Sequence, residues 1–266
     1  MSMRYFDAHC HVQFDPYDAD REELLLRMQE ESVGGVVVGV DRDSSEKAIA
    51  LVEKHPHLYA SVGLHPNYET QEVFDATHAR LLAQHEKVVA IGECGLDYYR
   101  PEEVTDALKS AQKKLLEAQI EVAVQANKPL IIHGRPAKGS MDAYTDLIDI
   151  LSSKKKEYGD TLRADIHFFV GGVEEARAFV SLDCTVSFTA VITFARDYDD
   201  VIRFVPQTHI LSETDSPYVA PAGRRGKRND PLAVIEVART LAEIRGEQQE
   251  TLEKALVENA QRLFGV

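Results

Sequence analysis

The chain has 266 residues, of which 44% are hydrophobic and 28% are charged, and its net charge at pH 7 is -14. A charge this negative excludes a protein that binds nucleic acid passively through a broad basic face, although bound metal ions can supply local positive charge. No apolar run approaches the roughly 20 residues of a membrane span, and the N-terminus has no signal-like apolar stretch, so we expect a cytoplasmic protein. Cys10, Cys94 and Cys184 are far apart, which indicates buried thiols rather than disulfides or a thiolate zinc site.

Eight short apolar segments, rich in β-branched residues and bounded by Gly, Pro or polar clusters, predict strands. They lie at 4–9, 34–40, 58–64, 88–93, 129–133, 163–169, 184–188 and 209–214. Longer amphipathic segments predict helices, the clearest at 20–32, 44–55, 106–126, 142–157, 230–246 and 249–264. Asp18, Ser44 and Asp142 stand at the predicted N-caps.

Alternation of strands with helices predicts parallel pairing, and near-continuous apolar strands indicate a sheet that is covered on both faces. We therefore expect a single (β/α)8 TIM barrel, with a doubly wound open sheet as the alternative. A barrel of this kind needs about 250 residues, so residues 1–266 are predicted to form one domain.

The first predicted strand ends in two histidines beside a carboxylate. Asp7, His9 and His11 share one face because alternate residues of a strand point the same way. Two imidazoles at this spacing can hold one metal ion, and Asp7 can orient them from behind. Two ordinary hydrogen-bonded histidines at a strand end are the alternative interpretation.

Further imidazoles and carboxylates lie where other predicted strands end. With the first pair, the set is His9, His11, His65, Glu93, His133, His167 and Asp215. In a TIM barrel the carboxyl ends of all strands meet on the rim that carries the active site. Burying so many imidazoles and carboxylates without partners is costly, so the set predicts a metal centre.

Nitrogen and oxygen ligands suit two divalent ions, drawn from Mg²⁺, Mn²⁺ and Zn²⁺. The predicted ligands are His9, His11 and Asp215 for one ion, His133 and His167 for the other, and Glu93 between them. Such a pair polarises a substrate oxygen and activates water, with Asp215 and Glu93 as catalytic carboxylates and Asp215 as the candidate general base. His65 completes the predicted catalytic set by contacting a substrate phosphate or leaving group; a supporting role behind the ligands is the alternative.

Basic residues near the same rim are the candidates for contact with substrate. Arg135 follows the fifth strand, and Arg225, Lys227 and Arg228 follow the eighth, where they could track a phosphate backbone. A solvated loop is the alternative for this basic run.

Taken in order, these motifs resemble the TatD family of metal-dependent deoxyribonucleases, within the wider amidohydrolase-like barrels. The motifs are DAHCH at 7–11, GLHP at 63–66, IGECGLDYY at 91–99, HGRPA at 133–137, HFFVGG at 167–172 and ETDSPY at 213–218. The resemblance spans nearly the whole chain. It implies a (β/α)8 barrel, one or two divalent ions and hydrolysis of DNA phosphodiesters. By position, the family's metal ligands fall on the same six residues, and its catalytic-pocket histidine falls on His65.

Some residues depart from the family pattern, all of them outside the predicted ligands. Pro136 stands where an acidic residue is usual, and 168–170 replace smaller or more polar residues. Asp165 is predicted to lie beneath His167, unless the strand register is shifted by one residue. These departures lie in the predicted pocket beside the fifth and sixth strands.

Three functions are consistent with these motifs. The first is a deoxyribonuclease that acts on single-stranded DNA or on DNA ends, with no membrane and no obligate protein partner. The second is a hydrolase of another ester, amide or small phosphoester, such as aminoacyl-tRNA, on the same metal pair. The third, a non-catalytic protein on the same fold, predicts a broken ligand set, whereas all six positions are present.

Overall fold

The computed structural model describes residues 3–67 and 73–266. Eight parallel strands form one sheet in chain order. They are β1 (Tyr5–Cys10), β2 (Val33–Val38), β3 (Leu58–Val62), β4 (Val88–Asp97), β5 (Leu130–Arg135), β6 (Ala164–His167), β7 (Thr185–Phe188) and β8 (Ile210–Ser212). The sheet closes on itself just after β8, where Cys10 bridges Ser216 and the Asp215 N–H donates to the His9 carbonyl at 2.9 Å. The predicted TIM barrel is confirmed.

The strands alternate with helices, as the sequence predicts. The described residues form α1 (Arg21–Glu30), α2 (Arg42–Val52), α3 (Ala76–Leu82), α4 (Asp106–Ala126), α5 (Asp142–Tyr158), α6 (Val173–Ser181), α7 (Asp199–Phe204), α8 (Val234–Arg245) and α9 (Gln249–Phe264). Within the described ranges, no helix is both long enough and apolar enough to cross a bilayer.

The predicted N-caps are wrong by one to three residues. Helix α1 begins after Asp20 rather than Asp18. Helix α2 is capped by Asp41, whose carboxylate accepts the Ser44 N–H at 2.7 Å while the Ser44 hydroxyl accepts the Asp41 N–H at 3.1 Å. Asp142 is the first residue of α5, and its carboxylate accepts the preceding Ala137 N–H at 3.1 Å. In each case a neighbouring residue takes the capping position.

The strands are buried on both faces, which explains their apolar sequences. Val33 and Val37 of β2 belong to the large cluster between sheet and helices, whereas Val36 packs into a second cluster with the end of α9. There the rings of Phe6 and Phe264 stack at 6.0 Å. Cys10, Cys94 and Cys184 are buried free thiols, as predicted.

Gly95 lets β4 approach β5 at the point where β5 carries His133. Its φ is +143°, and a Cβ there would lie 2.0 Å from the His133 carbonyl oxygen. We expect Gly95→Ala to destabilise the fold by about 3 kcal/mol, because backbone strain and overpacking add. Urea denaturation checks this against Gly223→Ala, whose added methyl meets nothing within 4 Å. Equal stability of the two variants would contradict it.

Candidate metal centre

Glu93 lies at the centre of the convergent side chains. Its Oε1 lies 3.0 Å from His133 Nδ1, 3.2 Å from His167 Nε2 and 3.5 Å from His65 Nε2. Strands β4, β5 and β6 and the turn after β3 deliver these four groups. All four side chains are buried.

The second oxygen of Glu93 faces the histidines of the first strand. Oε2 lies 3.5 Å from His9 Nε2 and 3.9 Å from His11 Nε2. Asp215 Oδ1 lies 3.8 and 3.5 Å from the same two nitrogens. Two groups of potential ligands, one from β1 and β8 and one from β5 and β6, therefore meet at Glu93.

The nitrogens of His9 and His11 are arranged as two ligands of one ion. Their Nε2 atoms are 3.1 Å apart. Two nitrogen ligands of one tetrahedral zinc ion, each bound at 2.0–2.1 Å, are roughly 3.3 Å apart. His11 Nδ1 lies 2.8 Å from the Val38 carbonyl, which can only accept, so Nδ1 carries a proton and Nε2 is left to bind a cation.

Carboxylates orient the other two histidines in the same way. His133 Nε2 lies 3.1 Å from Asp97 Oδ2, and His167 Nδ1 lies 3.3 Å from Glu213 Oε1. The opposite ring nitrogens then direct lone pairs at Glu93. A nitrogen lone pair and a carboxylate oxygen that face each other repel unless a positive charge lies between them. Histidines that bind metal ions also usually donate their other ring N–H to a carboxylate, as here. The residues present therefore fit divalent ions.

The pKa shifts of the buried side chains also indicate a site that stabilises positive charge. Burial disfavours ionised Glu93, but His65, His133 and His167 outweigh it and hold the Glu93 pKa well below its usual range. Burial also opposes charge on His167, but Glu213 and Glu93 raise its pKa well above the ordinary value. The cavity floor therefore stabilises cationic charge next to an ionised Glu93.

Comparison with known proteins gives the family. The family model described as TatD related DNase matches residues 6–265. The chain belongs to the TatD-related DNase family. It is 36% identical over 269 residues to the uncharacterized metal-dependent hydrolase YabD of Bacillus subtilis, covering 98% of this chain and 99% of YabD. The chain is thus a metal-dependent hydrolase of the TatD family.

Two further similarities support this assignment. The chain is 29% identical to a protein of Pectobacterium parmentieri named 3'-5' ssDNA/RNA exonuclease TatD, over 97% of this chain and 98% of that one. The crystal structure of YjjV, a TatD homologue from Escherichia coli, matches over 100% of both chains with a TM-score of 0.85 and 29% identity.

Asp7 has a different set of contacts from the one predicted for this TatD-family chain. The register of β1 shifts between Asp7 and Cys10, so strict alternation of faces does not continue along the strand. The Asp7 carboxylate accepts the Thr214 hydroxyl at 2.6 Å, the Thr214 N–H at 2.9 Å and the His9 backbone N–H at 3.2 Å. Asp7 thus ties the end of β1 to the end of β8, and contacts the backbone of His9 rather than its ring.

Asp165 lies beneath the centre, on the same side of the sheet as His167. The Ser187 hydroxyl lies 2.7 Å from Asp165 Oδ2 and 2.8 Å from Glu213 Oε2. A hydroxyl has only one proton to donate, so one carboxyl of this pair must also carry a proton. Burial and the charge of Glu213 raise the pKa of Asp165 to about 7. The chain Asp165–Ser187–Glu213 therefore supports His167 from below.

His65 is neutral and presents an N–H to the centre. Its Nδ1 accepts the Asn67 N–H at 3.1 Å, so the proton resides on Nε2, which faces Glu93 Oε1. Burial lowers the pKa of His65 to about 3. At neutral pH His65 can therefore donate a hydrogen bond without carrying a charge.

A cavity of about 1030 Å³ opens above the centre. Its walls include five of the six predicted ligands, His65, three aromatic residues and two arginines. These lining residues are His11, Phe14, His65, Glu93, Arg100, His133, Arg135, His167, Phe168, Asp215 and Tyr218. His9 is fully buried below its floor. The metal-ligand candidates are therefore accessible to a substrate from one side.

The predicted basic contacts separate into two groups. Arg135 lines the cavity. Arg228 instead binds both oxygens of Asp20 at 2.7 and 2.5 Å, and Arg225 lies over the Phe194 ring at 4.3 Å. The described residues that line the cavity do not include Arg225, Lys227 or Arg228. The structure therefore does not bring the basic run to the centre.

Sequence reasoning missed Asp97 and Glu213, which orient His133 and His167. Both lie in quoted motifs, and alternation from Glu93 through Gly95 would have placed Asp97 on the inner face. Asp97 was not considered because the fourth strand was expected to end at Glu93. In the structure β4 continues to Asp97. Glu213 stands two residues before Asp215, so the same alternation could have identified it.

Removing the orienting charges should weaken metal binding selectively. We expect Asp97→Asn and Glu213→Gln each to raise the dissociation constant for Zn²⁺ or Mn²⁺ by about 10–100-fold, because the imidazoles lose orientation and basicity. A titration with the metal ion, monitored by calorimetry, measures these dissociation constants. Glu253→Gln is the matched control, since Glu253 is a buried carboxylate that binds Tyr5 and Arg4 instead. Unchanged affinity in both site variants would contradict the expectation.

Proposed function

We propose that this TatD-family hydrolase is a deoxyribonuclease that removes nucleotides from the ends of single-stranded DNA. The observation that carries the proposal is Glu93, which is shared by two histidine groups at the floor of an open cavity. Two divalent ions held there would place positive charge at a phosphate and lower the pKa of a nearby water. The relative named as an exonuclease supports the same substrate class.

The residues of the chain have distinct roles in this proposal. His9, His11 and Asp215 would hold one ion and His133 and His167 the other, with Glu93 between the two. Asp215 is ionised at neutral pH: burial opposes this, but the neighbouring imidazoles of His167, His9 and His11 lower its pKa. It would accept a proton from the attacking water. His65 would donate its Nε2–H to a phosphate or leaving-group oxygen.

The test is degradation of end-labelled single-stranded DNA by the purified protein with added Mg²⁺ or Mn²⁺, and with EDTA. We expect a ladder that depends on metal and is absent from Asp215→Asn protein. The position of the label gives the direction of digestion. Absence of cleavage by protein that contains metal would overturn the nuclease while leaving the metal-dependent hydrolase in place.

A hydrolase of another ester is the second candidate, because apolar side chains form part of the cavity wall. Phe168 and Val170, which depart from the family pattern, both line the cavity. An apolar wall suits an acyl or aryl group better than a sugar–phosphate chain. Rates on aminoacyl-tRNA, carboxylic esters and phosphomonoesters, compared with those on DNA, distinguish the two candidates.

A further inference from the structure

Two guanidinium groups line the cavity beside the metal-ligand candidates. They belong to Arg100, at the turn after β4, and Arg135, the last residue of β5. Apart from histidines, they are the cationic residues among the described residues that line this cavity. The protein as a whole carries a net charge of -14, so positive charge concentrated on one wall of the cavity indicates a local anion contact.

The backbone fixes both arginines relative to the centre. Arg135 follows His133 by two residues on the same face of β5, which places their Cα atoms about 7 Å apart. In the sheet Arg135 pairs with Asp97, whose Oδ1 accepts the N–H groups of Tyr99 and Arg100 at 2.8 and 3.0 Å. The same carboxylate therefore orients His133 with one oxygen and holds the turn that carries Arg100 with the other.

These guanidinium groups retain donors that can bind a ligand. Within residues 3–67 and 73–266, Arg135 forms no ion pair with a carboxylate, and its guanidinium rests on the Tyr99 ring at 4.3 Å. Arg100 is 56% exposed, and its contact with Asp97 is long, at 3.8 Å. Arg228, in contrast, is held by both oxygens of Asp20. Free planar guanidinium groups suit bidentate contact with phosphate.

We propose that Arg100 and Arg135 form a subsite for the phosphate group next to the scissile phosphate. The subsite rests on the proposed nuclease function. Neither the metal-ligand candidates nor the basic run at 224–228 contribute to it. Aromatic faces on the β1 and β8 side are consistent with a nucleotide chain: Phe14 stacks on His11 at 4.6 Å and Tyr218 is half exposed. The enzyme would then prefer substrates with at least two phosphodiesters.

The experiment compares the thymidine dinucleotide TpT with the trinucleotide TpTpT, both without terminal phosphates. The first has one phosphate and the second has two. We expect kcat/KM of the wild-type protein to be about tenfold higher for TpTpT, because a charge-assisted contact is gained. In the Arg100→Ala/Arg135→Ala variant this preference should fall to within about twofold, through KM rather than kcat. The slope of affinity against salt concentration should also decrease.

Two controls separate the subsite from the centre and from total charge. Hydrolysis of bis(p-nitrophenyl) phosphate, which has one phosphate, should stay within about twofold of wild type in the double variant. Arg177→Ala changes charge on α6, where Arg177 is 58% exposed and pairs with Glu174, and should leave the TpTpT preference unchanged.

The possible failures have different meanings. A double variant that retains the TpTpT preference, or that loses bis(p-nitrophenyl) phosphate hydrolysis equally, would overturn the subsite while the nuclease stands. Wild-type protein that cleaves both oligonucleotides without preference would do the same. Wild-type protein that hydrolyses bis(p-nitrophenyl) phosphate but neither oligonucleotide would overturn the nuclease and the subsite together.

Discussion

Glu93→Gln is expected to lower the hydrolytic rate by at least about 10³-fold while the protein remains folded. Glu93 contacts both histidine groups, and an amide presents one neutral oxygen where the carboxylate presents two charged ones. Weakened binding of the ions removes several kcal/mol of transition-state stabilisation, which corresponds to a rate effect of this size. The measurement is the metal-dependent rate on bis(p-nitrophenyl) phosphate, together with metal content after dialysis.

The control for Glu93→Gln must show that the loss of a buried carboxylate elsewhere in the protein does not by itself lower the hydrolytic rate. Glu253 is equally buried, but it lies on α9 and accepts the Tyr5 hydroxyl at 3.1 Å, away from the cavity. Glu253→Gln should lower stability and keep its activity. If Glu93→Gln retained both its metal and a rate near that of wild type, Glu93 would not be the shared ligand.

The sequence was most informative about the strands, because burial on both faces leaves an unambiguous apolar pattern. The predicted segment 129–133 corresponds to β5 (Leu130–Arg135), and 106–126 is the full extent of α4. The short helices α3, α6 and α7 were not predicted. Helix α3 has only one buried residue, so its sequence shows little of the apolar periodicity by which helices are recognised.

Local irregularities limited the prediction of side-chain direction. The register shifts within β1, after Asp7, and within β4, between Ile91 and Cys94. Each shift inserts an extra residue on one strand, so alternation counted from one side predicts the wrong face on the other. The contacts of Asp7 follow from the shift in β1. Registers of this kind depend on contacts between strands, which one sequence does not contain.

The substrate contacts were the hardest to predict, because they depend on which charges are already paired. Arg228 looked available in a basic run, but Asp20, 208 positions away in the chain, holds it. Arg100 had no motif to mark it, yet the turn after β4 brings it to the cavity. Pairing between distant residues decides which cations remain free, and it becomes visible only in three dimensions.

Asp215→Asn is expected to lower the rate by about 10²–10⁴-fold, the usual contribution of a general base. Replacement by Asn removes the proton acceptor while keeping the backbone conformation and the shape of the side chain. Asp215 has a left-handed backbone with φ +51°, which Asn tolerates well, so the fold should be preserved. The amide can still contact an ion through its oxygen but cannot accept a proton from water at neutral pH.

The comparison that isolates this role is a pH–rate profile of wild type and Asp215→Asn at saturating metal. The neighbouring histidines lower the pKa of Asp215 below the ordinary pKa of an aspartate side chain. Protonation of this carboxylate should therefore reduce wild-type activity only at a pH below that ordinary pKa. Asp183→Asn, an exposed carboxylate paired with His209, is the matched control and should behave as wild type. If Asp215→Asn kept a near-normal rate at saturating metal, the base would have to be another group, and Asp215 would be a ligand alone.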